Sequence, residues 1–393
     1  MYAIINTKLI LPDGIEFNGA LTYENGKILE VGSADRVTIP ADAVVIDAKG
    51  KYTAPGFIDI HNHGDPVQRF NFPDADVERI CQHFLRHGQT TILATLYCDQ
   101  TVEEYLHTRD VIVAGAKHGA GKIIAGVYVE GPYMGGFGGD QKYILWTGEI
   151  KKEEYMPVLE GMKGLVKVWA IDPARPGIEE FMKDAKKVDP EVIFAYGHSN
   201  ARFSQCAAVR KYGVKVQTHH NDSGKAPGFA QGTMGSGCDE YTLHEQDIYA
   251  ELICDYTGVH VDPDLIKMVV KIKGPDRVIL ITDASVGSKF TNNEADGIAY
   301  GPDLNYDYEG HLAGSRLTTD EAIRNLMRHT GYGLCHAVRM ATLNPAKLLG
   351  IDDQVGSLEA GKKANLVIMD DAVNIDTVIL EGKIAVQNDT VLI

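Results

Sequence analysis

From residue 55 onward, short apolar runs rich in β-branched residues alternate with longer amphipathic segments. The apolar runs predict eight buried strands, near 57–61, 90–97, 123–130, 166–172, 192–198, 215–219, 249–255 and 277–283. The amphipathic segments predict crossover helices, including 76–87, 102–118, 178–188, 200–213 and 263–273. This alternation is typical of an α/β fold in which eight parallel strands close into a (β/α)8 TIM-like barrel. We therefore expect an active site at the carboxyl ends of the strands.

Shorter strands separated by turns precede and follow the barrel pattern. Hairpin signals occur at 11–14 and 24–27, and a helical section at 318–349 leads into further strand-like runs within 361–383. Each terminal segment is too short to be stable by itself, so we expect both to join in one small β-sandwich beside the barrel. The predicted divisions are 1–54 and 350–393 for the two parts of the sandwich and 55–349 for the barrel.

Five of the predicted strand ends carry side chains that bind metal ions in proteins. His61 and His63 follow the first strand, and the period of two places them on the same face. Strands three, five, six and eight end at Glu130, His198, His219 and Asp283. Because the strand ends of a barrel converge, these six residues predict one metal site. Imidazole and carboxylate ligands suit Zn²⁺ best among the candidates, with Fe²⁺, Mn²⁺ and Co²⁺ as alternatives.

Composition restricts the partners and the compartment. A net charge of -16 argues against binding to nucleic acid or to anionic membranes, which require a basic surface. The six cysteines are scattered without a C-x-x-C pair, which is typical of reduced core residues rather than of disulfides or a structural zinc site. The sequence has neither a signal-peptide pattern nor an apolar run long enough to cross a membrane. We therefore expect a soluble cytoplasmic protein.

Seven short motifs along the chain form a set. They are PGFIDIHNHG at 55–64, EGP at 130–132, GHSNA at 197–201, TH at 218–219, GVH at 258–260, TDA at 282–284 and LNPA at 343–346. This set resembles the amidohydrolase superfamily and, within it, the family of N-acetylglucosamine-6-phosphate deacetylases. The EGP and GHSNA motifs are the specific part, because many other amidohydrolases use a carboxylated lysine in place of the glutamate. The resemblance covers nearly the whole chain, including the closing β segment at 356–366.

The resemblance implies a reaction and a metal arrangement. The reaction is hydrolysis of the N-acetyl amide of an amino sugar phosphate, either N-acetylglucosamine-6-phosphate or N-acetylgalactosamine-6-phosphate, to the amino sugar phosphate and acetate. One ion would be held by Glu130, His198 and His219. His61 and His63 would hold a second ion, with Glu130 bridging the two, so two ions per chain are expected.

The resemblance also implies the catalytic roles and the assembly. Asp283 would act as a general base toward the attacking water and then as a general acid toward the leaving amine. His260 would donate a hydrogen bond to the carbonyl oxygen as negative charge develops on it. The substrate is a small molecule, and a homodimer is the assembly that the family suggests.

Substrate recognition is where the sequence departs from the family pattern. The implied substrate-binding positions are Asn200, Ala201, Asp222, Lys225 and His260. Relatives have an asparagine where this chain has Asp222 and an arginine where it has Lys225. They also have a histidine about twelve residues after the glutamate of the EGP motif, and the segment 138–142 contains none. A carboxylate beside a phosphate is unfavourable, and a lysine supplies only a flexible point charge to it.

Two other functions therefore stay open. One is a metal-dependent amidohydrolase of another specificity, acting on an unphosphorylated N-acyl amino sugar, an N-acyl amino acid or a cyclic amide. The other is a catalytically silent relative with a structural or regulatory role. Loss of metal ligands would be typical of a silent relative, and the sequence retains all six candidates.

Overall fold

The structure is a computed structural model that describes residues 1–135, 144–222, 224, 228, 233–287, 301–306 and 311–393. The chain begins with strands β1 (Tyr2–Leu11), β2 (Gly14–Glu24), β3 (Lys27–Ser33), β4 (Val44–Asp47) and β5 (Tyr52–Pro55). The predicted hairpins are present, with two-residue connections between β1 and β2 and between β2 and β3. In the second connection Asn25 and Gly26 have φ angles of 49° and 76°, which is the backbone of a type I′ turn.

The next eight strands of the described chain form a parallel sheet in sequence order. They are β6 (Phe57–Asn62), β7 (Gln89–Leu96), β8 (Ile124–Glu130), β9 (Val166–Ile171), β10 (Ile193–Tyr196), β11 (Val214–Gln217), β12 (Tyr249–Ile253) and β13 (Val278–Ile281). Most of their side chains are buried, as expected when the sheet is covered on its outer face and filled on its inner face. The predicted (β/α)8 barrel is confirmed, and each predicted strand is present.

The first and last strands of this sheet meet through hydrogen bonds just beyond the regular ladder. The backbone N–H of Asp283 donates to the carbonyl oxygen of His61 at 2.9 Å. The N–H of His63 donates to the carbonyl oxygen of Ala284 at 2.7 Å. The seam of the barrel therefore joins the strand end that carries the two histidines to the strand end that carries Asp283.

A buried carboxylate reinforces the seam below the strand ends. Asp59 Oδ2 accepts hydrogen bonds from Thr282 Oγ1 at 2.6 Å and from Gln89 Nε2 at 3.0 Å, which link β6 to its neighbours on both sides. Burial raises the pKa of Asp59 to about 6, although its hydrogen bonds with Thr282 and the amide of His61 oppose that shift.

Helices connect the barrel strands and cover their outer face. They are α1 (Val77–Arg86), α2 (Val102–Gly115), a 3₁₀ helix (Gly119–Ile123), α3 (Lys152–Gly161), α4 (Ile178–Val188), α5 (Phe203–Arg210), α6 (Cys238–His244) and α7 (Pro263–Lys273). Helices α4 and α7 match their predicted limits residue for residue. Helix α5 begins later than predicted, because the Ala201 amide donates to Ser199 Oγ at 2.9 Å and keeps that segment in a loop. Within the described residues, every helix is too short or too polar to traverse a lipid bilayer.

The rest of the chain completes the barrel and returns to the first sheet. It contains β14 (Leu304–Tyr306), β15 (Leu312–Ser315), α8 (Thr319–Thr330), α9 (Leu334–Met340), α10 (Leu343–Leu349), β16 (Leu366–Met369), β17 (Ile375–Leu380), β18 (Lys383–Gln387) and β19 (Thr390–Val391). Strand β16 pairs antiparallel with β5, which places both ends of the chain in one sheet of nine described strands. The small β structure built from both ends is thereby confirmed, whereas the β14–β15 hairpin was not predicted.

Candidate active site

The six predicted metal-binding side chains converge at the carboxyl ends of the barrel strands. They form two groups of ligand atoms that share Glu130, and within each group the atoms lie within 4.8 Å of one another. The first group is His61, His63, Glu130 and Asp283, and the second is Glu130, His198 and His219. All six residues are buried. The spatial convergence that the sequence predicts is therefore present.

Glu130 lies between the two groups and turns one carboxylate oxygen toward each. Its Oε1 atom is 3.0 Å from His198 Nε2 and 2.9 Å from His219 Nε2. Its Oε2 atom is 2.9 Å from His63 Nε2 and 3.5 Å from His61 Nε2. A carboxylate with one oxygen in each ligand group has the geometry of a bridging ligand.

Asp283 completes the first group from the opposite side of the seam. Its Oδ1 atom lies 3.2 Å from His63 Nε2 and 3.5 Å from His61 Nε2. The two histidine rings are 5.5 Å apart, on the same face of the strand end, as the period-two spacing predicts. His63 also packs edge-on against Tyr97, with the ring centroids 5.3 Å apart.

Three of the candidate ligands have left-handed backbone conformations. The φ angles are 43° at His198, 27° at His219 and 49° at Asp283. Each residue stands two positions beyond the end of its strand, where the chain turns out of the barrel. Such conformations are uncommon for non-glycine residues and cost free energy, so the surrounding structure must hold them in place. Because all three conformations occur at one site, we infer that the backbone there is held in the conformation that directs these side chains toward one another.

The charges of the cluster shift the pKa values of its members toward their ionised forms. Burial lowers the pKa of His61, but the Glu130 carboxylate outweighs it and the net shift is upward. Burial raises the pKa of Glu130, but His61, His198 and His219 lower it well below its usual range. Burial likewise raises the pKa of Asp283, and contacts with His63 and His61 reverse that shift. The two carboxylates are therefore ionised, and their negative charge attracts a cation: either protons on the histidines or a divalent ion bound in their place.

The donor set fits a metal ion such as Zn²⁺. Imidazole nitrogens and carboxylate oxygens are the ligands that Zn²⁺ and related divalent ions take in proteins. His61 Nε2 is buried and has no hydrogen-bond partner among the residues that the structure describes. A buried nitrogen in this position, facing two carboxylate oxygens, is satisfied when it coordinates an ion.

Carboxylates lie beside the second ring nitrogen of three site histidines. Glu251 Oε2 is 3.2 Å from His61 Nδ1, Asp255 Oδ2 is 3.2 Å from His260 Nδ1, and Asp222 Oδ2 is 3.7 Å from His219 Nδ1. Glu251 and Asp255 are within hydrogen-bond distance, and such partners fix the orientation and the tautomer of a functional imidazole, whereas Asp222 is too far from His219 Nδ1 for a hydrogen bond. Glu251 and Asp255 were not predicted. The signal for Glu251 is a single charged residue within the otherwise apolar run of β12.

His260 lies near Asp283 with both ring nitrogens engaged. Nδ1 contacts Asp255, and Nε2 lies 3.1 Å from the carbonyl oxygen of Gly314. Both partners are acceptors, so both nitrogens donate and the ring is a cation. Burial lowers the pKa of His260, but Asp255 and the nearby charges of Asp222 and Asp283 raise it to about 9.

The predicted substrate-binding residues occupy different surroundings. Asn200 is partly exposed in the loop after β10, and Ala201 is buried with its amide engaged by Ser199. Asp222 is partly buried, and its amide donates to the carbonyl oxygen of His219 at 3.0 Å. Lys225 lies outside the described residues.

Known proteins resemble this chain over most of its length. The model of the amidohydrolase family matches residues 52–385. An N-acetylglucosamine-6-phosphate deacetylase of Haemophilus influenzae is 26% identical over 97% of this chain and 98% of its own. An N-acetylgalactosamine-6-phosphate deacetylase of Escherichia coli O157:H7 is 25% identical over 88% of this chain and 91% of its own. The crystal structure of N-acetylglucosamine-6-phosphate deacetylase from Pasteurella multocida is 26% identical and superposes with a TM-score of 0.84, covering 98% of this chain and 99% of that one.

Proposed function

Because the chain belongs to the amidohydrolase family, we propose that it is a hydrolase that removes the acetyl group from an N-acetylated amino sugar phosphate. The substrate is N-acetylglucosamine-6-phosphate or its galactosamine epimer, and the products are the amino sugar phosphate and acetate. The relatives named as such deacetylases support this substrate class, since they align over most of the chain. The observation that carries the chemistry is Glu130, whose two oxygens face two separate sets of ligand atoms.

The proposed cofactor is a pair of divalent ions, with Zn²⁺ as the first candidate. Glu130, His198 and His219 would hold one ion, while His61 and His63 with the shared Glu130 would hold the other, beside Asp283. When bound, such ions polarise the amide carbonyl and favour ionisation of water.

Asp283 provides the proton transfers of the reaction. Its net pKa shift is downward, so the side chain is ionised at neutral pH and can accept a proton. It takes that proton from the water molecule as the water oxygen forms a bond to the carbonyl carbon. The same proton then passes to the amine nitrogen as the C–N bond breaks. The backbone amide of Asp283 donates to the carbonyl oxygen of His61 at the seam, and this hydrogen bond holds the Asp283 carboxylate beside the first ligand group.

His260 stabilises the negative charge that develops on the carbonyl oxygen. Because Asp255 keeps the ring protonated, Nε2 is a charged hydrogen-bond donor at the rim of the site. That donor contacts the carbonyl oxygen of Gly314, and substrate binding would redirect it toward the carbonyl oxygen of the amide. A donor that already carries a positive charge stabilises this oxygen most in the transition state, where the negative charge on the oxygen is greatest.

The proposal includes the cellular location of the enzyme and its oligomeric state. The six cysteines are free thiols in the structure, five of them buried, which supports a cytoplasmic location. The homodimer suggested by the family is part of the proposal and can be tested by light scattering. Nucleic acid and membranes are not proposed as partners because the chain is strongly acidic.

A second candidate is an amidohydrolase that acts on an unphosphorylated N-acetyl amino sugar. Asp222 favours this alternative, because its carboxylate lies beside His219 and contributes to the electrostatic field around His260. A negative charge at that place opposes a phosphate group.

The test is acetate release from N-acetylglucosamine and N-acetylgalactosamine, each with and without the 6-phosphate. The metal-loaded protein should release acetate from at least one phosphorylated sugar, and removal of the ions with a chelator should abolish the activity. Re-addition of Zn²⁺ should restore it. Asp283→Asn, prepared in parallel, measures any contaminating deacetylase. Wild-type protein with a full complement of ions that releases no more acetate than this variant would contradict the proposal.

A further inference from the structure

Glu251 is a fully buried acidic residue on β12, between the two ligand groups. Its Oε2 atom lies 3.2 Å from Nδ1 of His61, which belongs to the first group. The same atom lies 3.3 Å from the backbone amide of His219, which belongs to the second group. One carboxylate oxygen therefore contacts a residue of each ligand group.

The contact with His61 determines which ring nitrogen faces the site. The amide of His219 can only donate, so Oε2 of Glu251 is an acceptor. An acceptor at Nδ1 of His61 places the proton of the neutral ring on that nitrogen and leaves the lone pair on Nε2. Nε2 faces Glu130 Oε2 and Asp283 Oδ1 at 3.5 Å each, with no hydrogen bond to either. This is the orientation and the tautomer that a metal ligand needs.

The contact with His219 supports the turn that carries the second group. His219 has a φ angle of 27°, and its backbone therefore needs support from its neighbours. Glu251 provides that support twice, because its carboxylate accepts from the His219 amide and its carbonyl oxygen accepts from the amide of His220 at 2.7 Å.

We propose that Glu251 is a positioning residue that fixes His61 as a ligand for the second metal ion and couples the His61 ligand group to the His219 turn. The inference rests on the proposed metal-dependent function, and it adds a residue that touches no reacting atom. Without an acceptor at this place, the His61 ring is free to rotate or to carry its proton on Nε2, and the second ion then loses a ligand.

The experiment counts the bound ions in three forms of the full-length protein. Wild type should hold two Zn²⁺ per chain by elemental analysis, and competition with a chelating dye should give the affinity of the weaker one. Glu251→Leu removes the acceptor and should reduce the stoichiometry to one. Glu251→Gln can keep a carbonyl oxygen toward His61 and the His219 amide, so it should retain both ions with at most a tenfold loss of affinity. Partners of this kind contribute about 10- to 100-fold to metal affinity.

Matched measurements separate positioning from folding. Thermal unfolding of the metal-free proteins shows whether the Glu251→Leu variant is folded. If it is unfolded, Glu251→Asp, whose side chain is shorter by one methylene, is used in its place. That variant should weaken the second ion by at least tenfold. Asp255→Asn alters the equivalent partner of His260 and should leave two ions bound.

Two outcomes would overturn the inference. One is retention of both ions at wild-type affinity in folded Glu251→Leu or Glu251→Asp, and the other is a wild-type protein that holds a single ion. Failure of the deacetylase assay with two ions bound would instead contradict the proposed substrate and leave the role of Glu251 intact.

Discussion

The Oδ2 atom of Asp255 lies 3.2 Å from Nδ1 of His260 and makes that histidine a cation with its other nitrogen at the rim of the site. We predict that His260→Gln lowers kcat by about 10²-fold, the usual consequence of removing one donor to a developing oxyanion. Steady-state kinetics with the best substrate would measure this loss. The number of bound ions should not change, because His260 is outside both ligand groups.

A matched control for this prediction is His336→Gln. His336 packs edge-on against Tyr332, with ring centroids 5.5 Å apart, on the outer helices of the fold. The His336→Gln variant should retain wild-type kcat and KM. Equal losses in both variants would mean that His260 acts through stability rather than at the reacting atoms.

Asp283→Asn should lower kcat by about 10² to 10⁴-fold while both ions stay bound, because the amide keeps an oxygen near His63 but cannot accept a proton. Kinetics and elemental analysis on the same preparation would check both parts. Retention of a tenth of the wild-type turnover would place the general base elsewhere.

Wild-type protein purified without chelators should contain close to two divalent ions per chain, and His63→Asn should contain one. The physical reason is that His63 belongs only to the first ligand group, whereas Glu130 is shared. Elemental analysis gives the ratio, with His336→Gln again as the control. Full activity in a wild-type preparation that contains one ion at most would remove the two-ion assignment.

The preference for a 6-phosphate should be weak, with a kcat/KM ratio below about 10 for the phosphorylated over the free sugar, because the Asp222 charge opposes it. Removing a like charge a few ångströms away is worth on the order of 1 to 2 kcal/mol, so Asp222→Asn should raise this ratio about 5- to 30-fold. The same two substrates measured with wild type and variant supply the ratio. A wild-type ratio above a thousand that collapses in Lys225→Ala would show that a phosphate site exists despite Asp222.

Acid should destabilise the fold through His83, at a distance from the site. Burial, together with the neighbouring charge of His87, lowers the pKa of His83 to about 4. Between pH 6.5 and 4 the unfolded chain binds a proton at this residue and the folded chain does not, so stability falls as the pH falls through that range. The lowering from 6.5 to about 4 corresponds to about 3.4 kcal/mol at 1.36 kcal/mol per pKa unit. Because the side chain is partly exposed, solvent screening should reduce the loss to about 2 kcal/mol or less.

Denaturant titrations of wild type and His83→Gln at pH 7 and pH 4.5 test this mechanism. The variant should lose less stability between the two pH values than wild type. His244→Gln is the control, since that side chain is 67% exposed and should leave the pH dependence unchanged. Identical pH dependence in all three proteins would exclude His83 as the cause.

The barrel strands and the metal-binding side chains could be predicted because both follow from local patterns. An apolar run that stops at a histidine or a carboxylate identifies a strand end, and the barrel brings those ends together. Glu251 contacts a ring nitrogen of His61, which lies far away in the sequence, and Asp255 contacts a ring nitrogen of His260, five residues later. Neither pairing follows from a local sequence pattern, so both are known only from the fold. The β14–β15 hairpin follows a stretch without regular hydrophobic periodicity, and its packing of Gly314 beside Asp283 depends on tertiary contacts.

The pairing of β5 with β16 has a consequence for the order in which the protein is made. Strand β5 precedes the barrel in the chain, and β16 follows it. While the ribosome produces the barrel, the edge of β5 that β16 later covers remains without its partner, and an open strand edge invites pairing with other chains. The small sheet can therefore be completed only after the barrel segment has been synthesised, when β16 covers the open edge of β5.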